Sequence, residues 1–340
     1  MNGLARAQEK NAAAGEYEPP RKLEPGQLEP KKATDDAPPV ILRLILKPIK
    51  RGMLVRLPVI DTDPNRGVTA GLMPIWVIKE ADSDRIAHIH APSLTYNETF
   101  GPIPTYRYYF YPDDNSAFNT RVAYSNQEER ELMATFNSED FLKRGIELDL
   151  QLQFNVDGAK RFYGYGPDSA RTGEVNYIED ILLYHISAGA PVKRDSKWKL
   201  HASTHLEAFK AKEGRTPNLP DFDALHPGVR PIHRQQTHEV GARLDYDTRD
   251  HAITTARGAY LNFGWSLSSR DFLSARDYNR SVFDARYFWP WMGTDERKTT
   301  AAQLRYEQLQ GDAPFWLLPT VGGKYSLRAY GSGRYYDRGA

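Results

Sequence analysis

From Ile146 to Phe154 the chain reads Ile-Glu-Leu-Asp-Leu-Gln-Leu-Gln-Phe, apolar and polar residues alternating without a break. A helix, with its period near 3.6, would scatter these side chains around its axis, whereas a strand sends them to two opposite faces. Ile146, Leu148, Leu150, Leu152 and Phe154 therefore share one face, and Glu147, Asp149, Gln151 and Gln153 the other. The same rule recurs over 197–208, with Trp198, Leu200, Ala202, Thr204 and Leu206 on the apolar side. Val240, Ala242, Leu244 and Tyr246 alternate with Glu239, Gly241, Arg243 and Asp245. Ala259, Leu261, Phe263, Trp265 and Leu267 alternate with Tyr260, Asn262, Gly264 and Ser266, and Phe283, Ala285, Tyr287 and Trp289 with Asp284, Arg286 and Phe288. Weaker stretches at 68–79, 85–96, 104–112, 118–126, 131–137, 179–190 and 299–309 bring the candidates to about twelve strands.

These segments run to roughly nine to twelve residues, enough to cross a bilayer at a tilt of about 45°, whereas strands of soluble sheets cluster near 5–6. Their polar faces carry full charges, which suits a water-filled lumen better than a dry core. No apolar run approaches the ~18 residues of a membrane helix. A mean hydropathy of −0.64 does not exclude a membrane barrel, because only alternate residues of a barrel strand meet lipid. The 20 tyrosines and 6 tryptophans supply rings of the kind that settle at membrane interfaces. The absence of cysteine is compatible with an envelope protein that uses no disulfides. A net charge of +1 with dispersed basic residues gives no footprint for nucleic acid. The expected fold is all-β, an antiparallel transmembrane β-barrel.

Three regions follow. Residues 1–39, rich in Pro, Glu, Lys and Ala, bury too little to offset ordering entropy and read as disordered. Residues 40–66 read as a lead-in: Val40–Pro48 is either a short amphipathic interfacial element or a docking strand. The barrel is placed at 67–340. Met1–Lys10 has a basic residue but no apolar core of a secretory signal, so the chain is read as processed or as starting downstream of its natural start.

Catalysis finds little support. His88 and His90 alternate onto one strand face, as do His201 and His205, but neither pair brings further ligands at metal-site spacing, and lumenal or rim positions are expected. Asp245, Asp247 and Asp250 lack the ligand loop of a calcium site. Asp247 and Asp250 are expected to satisfy backbone and arginine groups at a strand end. There is no Gly-x-Ser-x-Gly elbow and no His-Glu-x-x-His. No catalytic residue, cofactor or metal is assigned, and the protein is expected not to be an enzyme.

The C-terminal stretch Val321-Gly-Gly-Lys-Tyr-Ser-Leu-Arg-Ala-Tyr-Gly-Ser-Gly-Arg-Tyr-Tyr-Asp337 is glycine-rich and sets Arg328 between Leu327 and Tyr330. It reads as a shaped loop rather than a strand. It is not a P-loop, since Leu318 and Tyr325 stand where Gly and Ser/Thr are required. Gly322, Gly323, Leu327, Arg328, Tyr330, Arg334, Tyr335 and Asp337 resemble the conserved loop of the outer-membrane assembly superfamily typified by BamA and TamA, the bacterial surface antigen family. Ala329 departs from that pattern, where glycine is usual. Asp247, Arg249, Asp250 and Gly258 resemble the family's Asp-x-Arg-Asp strand end and glycine restart, with Thr255 in place of proline. Pro58–Gly67 is similar to the segment before the first strand of short family members, and Arg161–Ser169 to a Phe-Tyr-Gly-x-Gly loop.

The resemblance spans 58–337. It implies a sixteen-stranded barrel in the outer membrane of a Gram-negative bacterium, with the 322–337 loop folded into the lumen and Arg328 paired to a wall carboxylate in later strands. About four strands would then lie beyond Ala340. It also implies a role in inserting or assembling outer-membrane proteins, with outer-membrane lipids and nascent β-barrel proteins as partners. The competing readings are a passive pore or structural surface barrel and, from another class, a soluble ligand-binding β-protein. A charged Arg328 held in a lumen needs a partner, because an unpaired guanidinium away from bulk water is costly.

Overall fold

A computed structural model describes residues 44–252, 254–291, 295–323, 326–327 and 330–340. The proposed disordered segment 1–39 lies outside the described residues, as does Arg328.

Strand after strand pairs antiparallel with its predecessor, in the order β1 to β14. The strands are β1 Leu46–Ile49, β2 Gly52–Asp63, β3 Gly67–Lys79, β4 Ile86–Asn97, β5 Gly101–Asp113, β6 Ser116–Ser125 and β7 Glu129–Phe141. They continue as β8 Ile146–Phe162, β9 Val175–Pro191, β10 Trp198–Glu213, β11 Gln235–Asp247, β12 Gly258–Ser268, β13 Tyr278–Trp291 and β14 Asp295–Gly311. The connections split into two sets. The turn end has tight turns at 50–51, 114–115 and 142–145 and a ten-residue connection at 248–257; the loop end has short turns at 64–66, 98–100 and 126–128 and the two longest connections, 163–174 and 214–234, the latter carrying the short helix α1 Phe222–Leu225.

From Gly67 onward each sequence-derived segment coincides with a strand. Within the lead-in at 40–66, residues 40–43 lie outside the described residues, β1 is a short strand as the docking alternative had it, and β2 Gly52–Asp63 extends the wall to before Gly67. Proline has no N–H for a ladder, and β2 accommodates Pro58 by position: β1 covers only Gly52–Val55, so Pro58 lies on an edge, where a missing donor costs nothing. A second consequence of proline appears between β3 and β4, whose ladder skips from Leu72↔Leu94 to Trp76↔His90, bracketing Pro74 and Pro92.

The sheet curls. Arg66, between β2 and β3, reaches Glu129 of β7 and Asp157 of β8, both at 2.9 Å. Five strand spacings separate β3 from β8 in a flat sheet, about 24 Å, beyond any arginine. Arg66 also stacks over Phe100 at 5.2 Å. Although burial works against its charge, the two carboxylates hold it protonated, with a raised pKa. Among the described residues β1 and β14 do not pair with each other, so the sheet keeps two edges.

The curled wall is inside out. Along β8, Gln151, Gln153 and Asn155 are buried, while Leu152 is 52% and Phe154 38% exposed. Along β10, His201 and His205 are buried and Leu200 is 55% exposed. On β12, Asn262 is buried, with Phe263 and Trp265 exposed. A water-soluble sheet would reverse these faces. A hydrocarbon surround with a polar lumen is the environment in which this arrangement is stable.

Candidate functional site: a lumenal plug

The chain leaves β14 at Gly311 and turns into the barrel mouth instead of away from it. Phe315, Trp316 and Leu317 form a single 3₁₀ turn, and all three are buried. They join Phe162, Tyr177, Phe209, Phe222, Tyr278 and Tyr336 in the largest apolar cluster of the molecule. Phe209 and Trp316 stack at 4.3 Å and 2°, and Phe315 meets Phe162 at 5.2 Å and 63°. The cluster forms because β8, β9, β10 and β14 run past the lumen at the loop end and there change their inner faces from polar to apolar: Phe162, Val175, Phe209 and Leu309 point inward where Gln151, His185 and His205 do so lower down. After this plug, Thr320–Val321 (β15) pairs with Tyr335–Tyr336 (β16).

The wall holds the plug by polar contacts at its margins. Arg280 of β13 donates to Glu307 at 2.5 Å, to Glu239 at 3.3 Å and to the Leu317 carbonyl at 3.2 Å. Glu239 also accepts from Tyr278 and Ser266, both at 2.8 Å. Asn65 donates to the Ser332 carbonyl at 2.9 Å, so the turn that carries Arg66 touches the plug as well. A cavity of about 210 Å³ remains between plug and wall, bordered by Lys160, Glu179, Arg280, Arg305 and Glu307.

The sequence motifs fall as follows. Gly322 (φ 128) and Gly323 (φ 85) occupy backbone conformations that side chains rarely adopt, and a Cβ on Gly322 would run into the Gly331 carbonyl. The Gly323 N–H donates to the Tyr330 carbonyl at 2.8 Å, closing the loop at its neck. Leu327 is exposed, Tyr330 packs edge-on against Tyr335 at 5.8 Å, and the Asp337 N–H donates to the Pro319 carbonyl at 3.2 Å. Arg334 is buried. Its guanidinium donates to Ser169 Oγ at 3.0 Å and the Ser169 carbonyl at 2.7 Å, and lies between the rings of Tyr163, 4.6 Å away, and Tyr335, 4.2 Å away. Burial, with Glu174 beside it, pushes the Tyr163 phenol up to about 12. The Gly166 N–H donates to the Tyr336 carbonyl at 2.8 Å. The 161–169 and 322–337 motifs, far apart in sequence, are thus in direct contact.

The strand-end motif lies at the opposite end. Asp247 and Arg249 form a two-pronged pair at 3.0 and 2.7 Å, with Arg249 over Tyr260 at 4.8 Å. Asp250 accepts the N–H groups of His251, Ala256 and Arg257. Burial slightly opposes its charge, but those three donors hold its carboxyl below the usual range. Gly258 (φ 113) restarts β12 where a Cβ would strike the Thr248 carbonyl. These residues tie off the β11–β12 connection; they do not face the plug.

The histidines divide. His201 and His205 line the lumen, His201 beside Arg243, Asp245 and Glu147. His88 and His90 face outward near the turn-end rim rather than into the lumen, since Ala87, Ile89 and Ala91 take the buried face of β4. No group of three or more His, Cys, Asp or Glu among the described residues is arranged to hold a metal. Sequence reasoning missed Arg66, Arg280 and the Phe315–Leu317 turn. Arginine gives no periodic signal, and the turn's meaning depends on strands distant in sequence.

Residues 114–339, more than half of the chain, match the Omp85 superfamily domain. Among solved structures, BamA from Haemophilus ducreyi lacking POTRA domains 1–3 is 14% identical with a TM-score of 0.49, covering 82% of this chain and 51% of that one. The chain thus spans about half the length of that BamA chain. Acinetobacter baumannii OccAB1 is 10% identical (78% of this chain, 69% of that one, TM-score 0.39). Pseudomonas aeruginosa OpdK, solved with vanillate, is likewise 10% identical (78% and 72%, TM-score 0.38). No curated protein sequence matches. The chain belongs to the Omp85 superfamily.

Proposed function

We propose that this barrel serves insertion or assembly of outer-membrane proteins rather than free diffusion through an open pore. The observation that carries this reading is the plug: the Phe315–Leu317 cluster fills the lumen at the loop end. In outer-membrane barrels the longer loops face outward, which puts the plug at the cell exterior. The working surface is then the unpaired stretch of β2. Among the described residues, β2 from Arg56 to Asp63 has no strand on its outer side. Unpaired ladder groups are a template for β-augmentation, so a nascent outer-membrane β-strand is the partner that fits, with membrane lipid as the surround and no nucleic acid. No catalytic group, cofactor or metal takes part: the buried arginines and carboxylates act as struts.

The test is photocrosslinking from Ile60, on the unpaired stretch of β2, to an outer-membrane protein caught during assembly, alongside planar-bilayer conductance. Crosslinks with little steady conductance are expected. Stable open-pore conductance without crosslinks would overturn the reading in favour of a passive pore.

A further inference from the structure

The lipid-facing wall carries one patch that does not suit hydrocarbon. On β4, His88 and His90 point outward; on β5, so do Tyr106 and Tyr108, because the register pairs His90 with Tyr108 and His88 with Phe110. His88 Nδ1 lies 3.0 Å from the Tyr108 hydroxyl, and His90 Nδ1 2.7 Å from the Tyr106 hydroxyl. The rings stack into a ladder, His88 on Phe110 at 5.0 Å and His90 against Tyr108 at 4.9 Å. Each pair shares one hydrogen between two groups that could both donate. If the phenol donates, the imidazole keeps an Nε2 hydrogen; if the imidazole donates, the phenol keeps its own. Either way each pair retains one donor aimed outward. Among the described residues neither Nε2 has a hydrogen-bond partner.

Arg56 lies on the same outward face. It pairs with Pro74 of β3, two strands and so about 10 Å from β4, and among the described residues its guanidinium donates to the Leu44 carbonyl at 3.4 Å. The register carries this face over β2 to β5 without an acidic residue. The nearest carboxylates, Asp84 and Glu80 in the β3–β4 turn, are paired to Lys79 and Arg85. His88 and His90 lie two and four residues from the turn-end start of β4, roughly 5 and 10 Å deep for a tilted strand. That is headgroup and ester depth. Donors and a guanidinium at that level, with no acid to oppose them, match a phosphate.

We propose that His88, His90 and Arg56 form a binding site for the phosphate of a phospholipid in the leaflet at the turn end. The proposal rests on the wall's being lipid-facing, but not on any assembly activity.

The test is native mass spectrometry of the full chain in detergent with dihexanoyl phosphatidylglycerol as the probe, dihexanoylglycerol as the probe lacking phosphate, and inorganic phosphate as competitor. Phenylalanine suits the outer face better than histidine, so His88→Phe/His90→Phe should fold, which heat-modifiable migration checks. Retained phosphatidylglycerol is expected to fall at least fivefold in that variant and in Arg56→Leu, and to be unchanged in Leu200→Phe. Equal retention by the variants, or equal retention of dihexanoylglycerol, overturns the site. Displacement by inorganic phosphate overturns the lipid as its occupant. Quenching of exposed tryptophans by brominated acyl chains separates the premises: if it fails, the lipid-facing wall is wrong; if it holds while retention is unchanged, only this site is wrong.

Discussion

The wall and the plug obey opposite burial rules within one chain. In the wall, Gln153 and His201 are buried and Leu152 and Leu200 face out; in the plug, Phe315, Trp316 and Leu317 are buried and Ser326, Ser332 and Asp337 face out. The hydrophobic effect is the same in both, but the medium differs. The wall has lipid behind it and water in front, whereas the plug sits in an aqueous mouth and must gather its own apolar core. The two meet where the strands at the loop end change their inner faces from polar to aromatic. There Arg280 spans both, held by wall carboxylates and bonded to a plug carbonyl.

That difference can be broken at several points, the most damaging first. Arg280→Ala should cost about 3–5 kcal/mol, because it strands the buried Glu239 without its arginine and leaves Glu307 with Arg305. Denaturant unfolding in detergent would register the loss, and Glu307→Gln in the same background should recover part of it. Phe315→Ala should cost about 3–5 kcal/mol of packing, yet leave the wall inserted. Limited proteolysis would then cut 312–340 while heat-modifiable migration persisted; if both failed together, plug and wall would be one folding unit.

Leu152→Arg places a charge on the outer face near mid-wall and should cost about 2–4 kcal/mol of insertion, whereas Gln153→Arg on the lumenal side should cost far less. Equal effects would mean the faces are misassigned. Arg334→Lys should lose the fork onto Ser169 and most of the stacking on Tyr163 and Tyr335, about 1–2 kcal/mol, and loosen the 322–337 loop to protease.

Asp250 gives the smallest effect and a pH signature. Its folded pKa is depressed, so its contribution is present above the unfolded carboxyl range and lost as pH falls through the lower folded value. Because the group is largely exposed, the contribution is at most about 1 kcal/mol. Asp250→Asn should therefore lower stability slightly at neutral pH and flatten its decline below about pH 4. An acid unfolding profile identical to wild type would assign the β11–β12 tie to Gly258 and Asp247 instead.

Alternation alone determined a great deal. Ile146–Phe154, Trp198–Leu206 and Ala259–Leu267 could adopt only one periodic structure, and charge on their polar faces pointed to a wet lumen. Their length pointed to a membrane, and each lies in a strand with its leucines outward. The residues of the 322–337 motif were also visible, because glycines that must take positive φ leave a mark in sequence. What stayed hidden depended on neighbours distant along the chain. That Pro58 fits within β2 depends on the sheet's leaving that part of the strand on an edge. His88 and His90 showed only that they share a face, since period two separates faces without saying which one meets lipid. Arg66, Arg280 and Arg334 look alike in sequence. Curling of the sheet brought Arg66 to Asp157, and the return of the chain into the mouth brought Leu317 to Arg280 and Arg334 to Ser169. Local periodicity fixes which residues share a face, whereas the partner of a buried charge is set by the curvature that brings remote strands together.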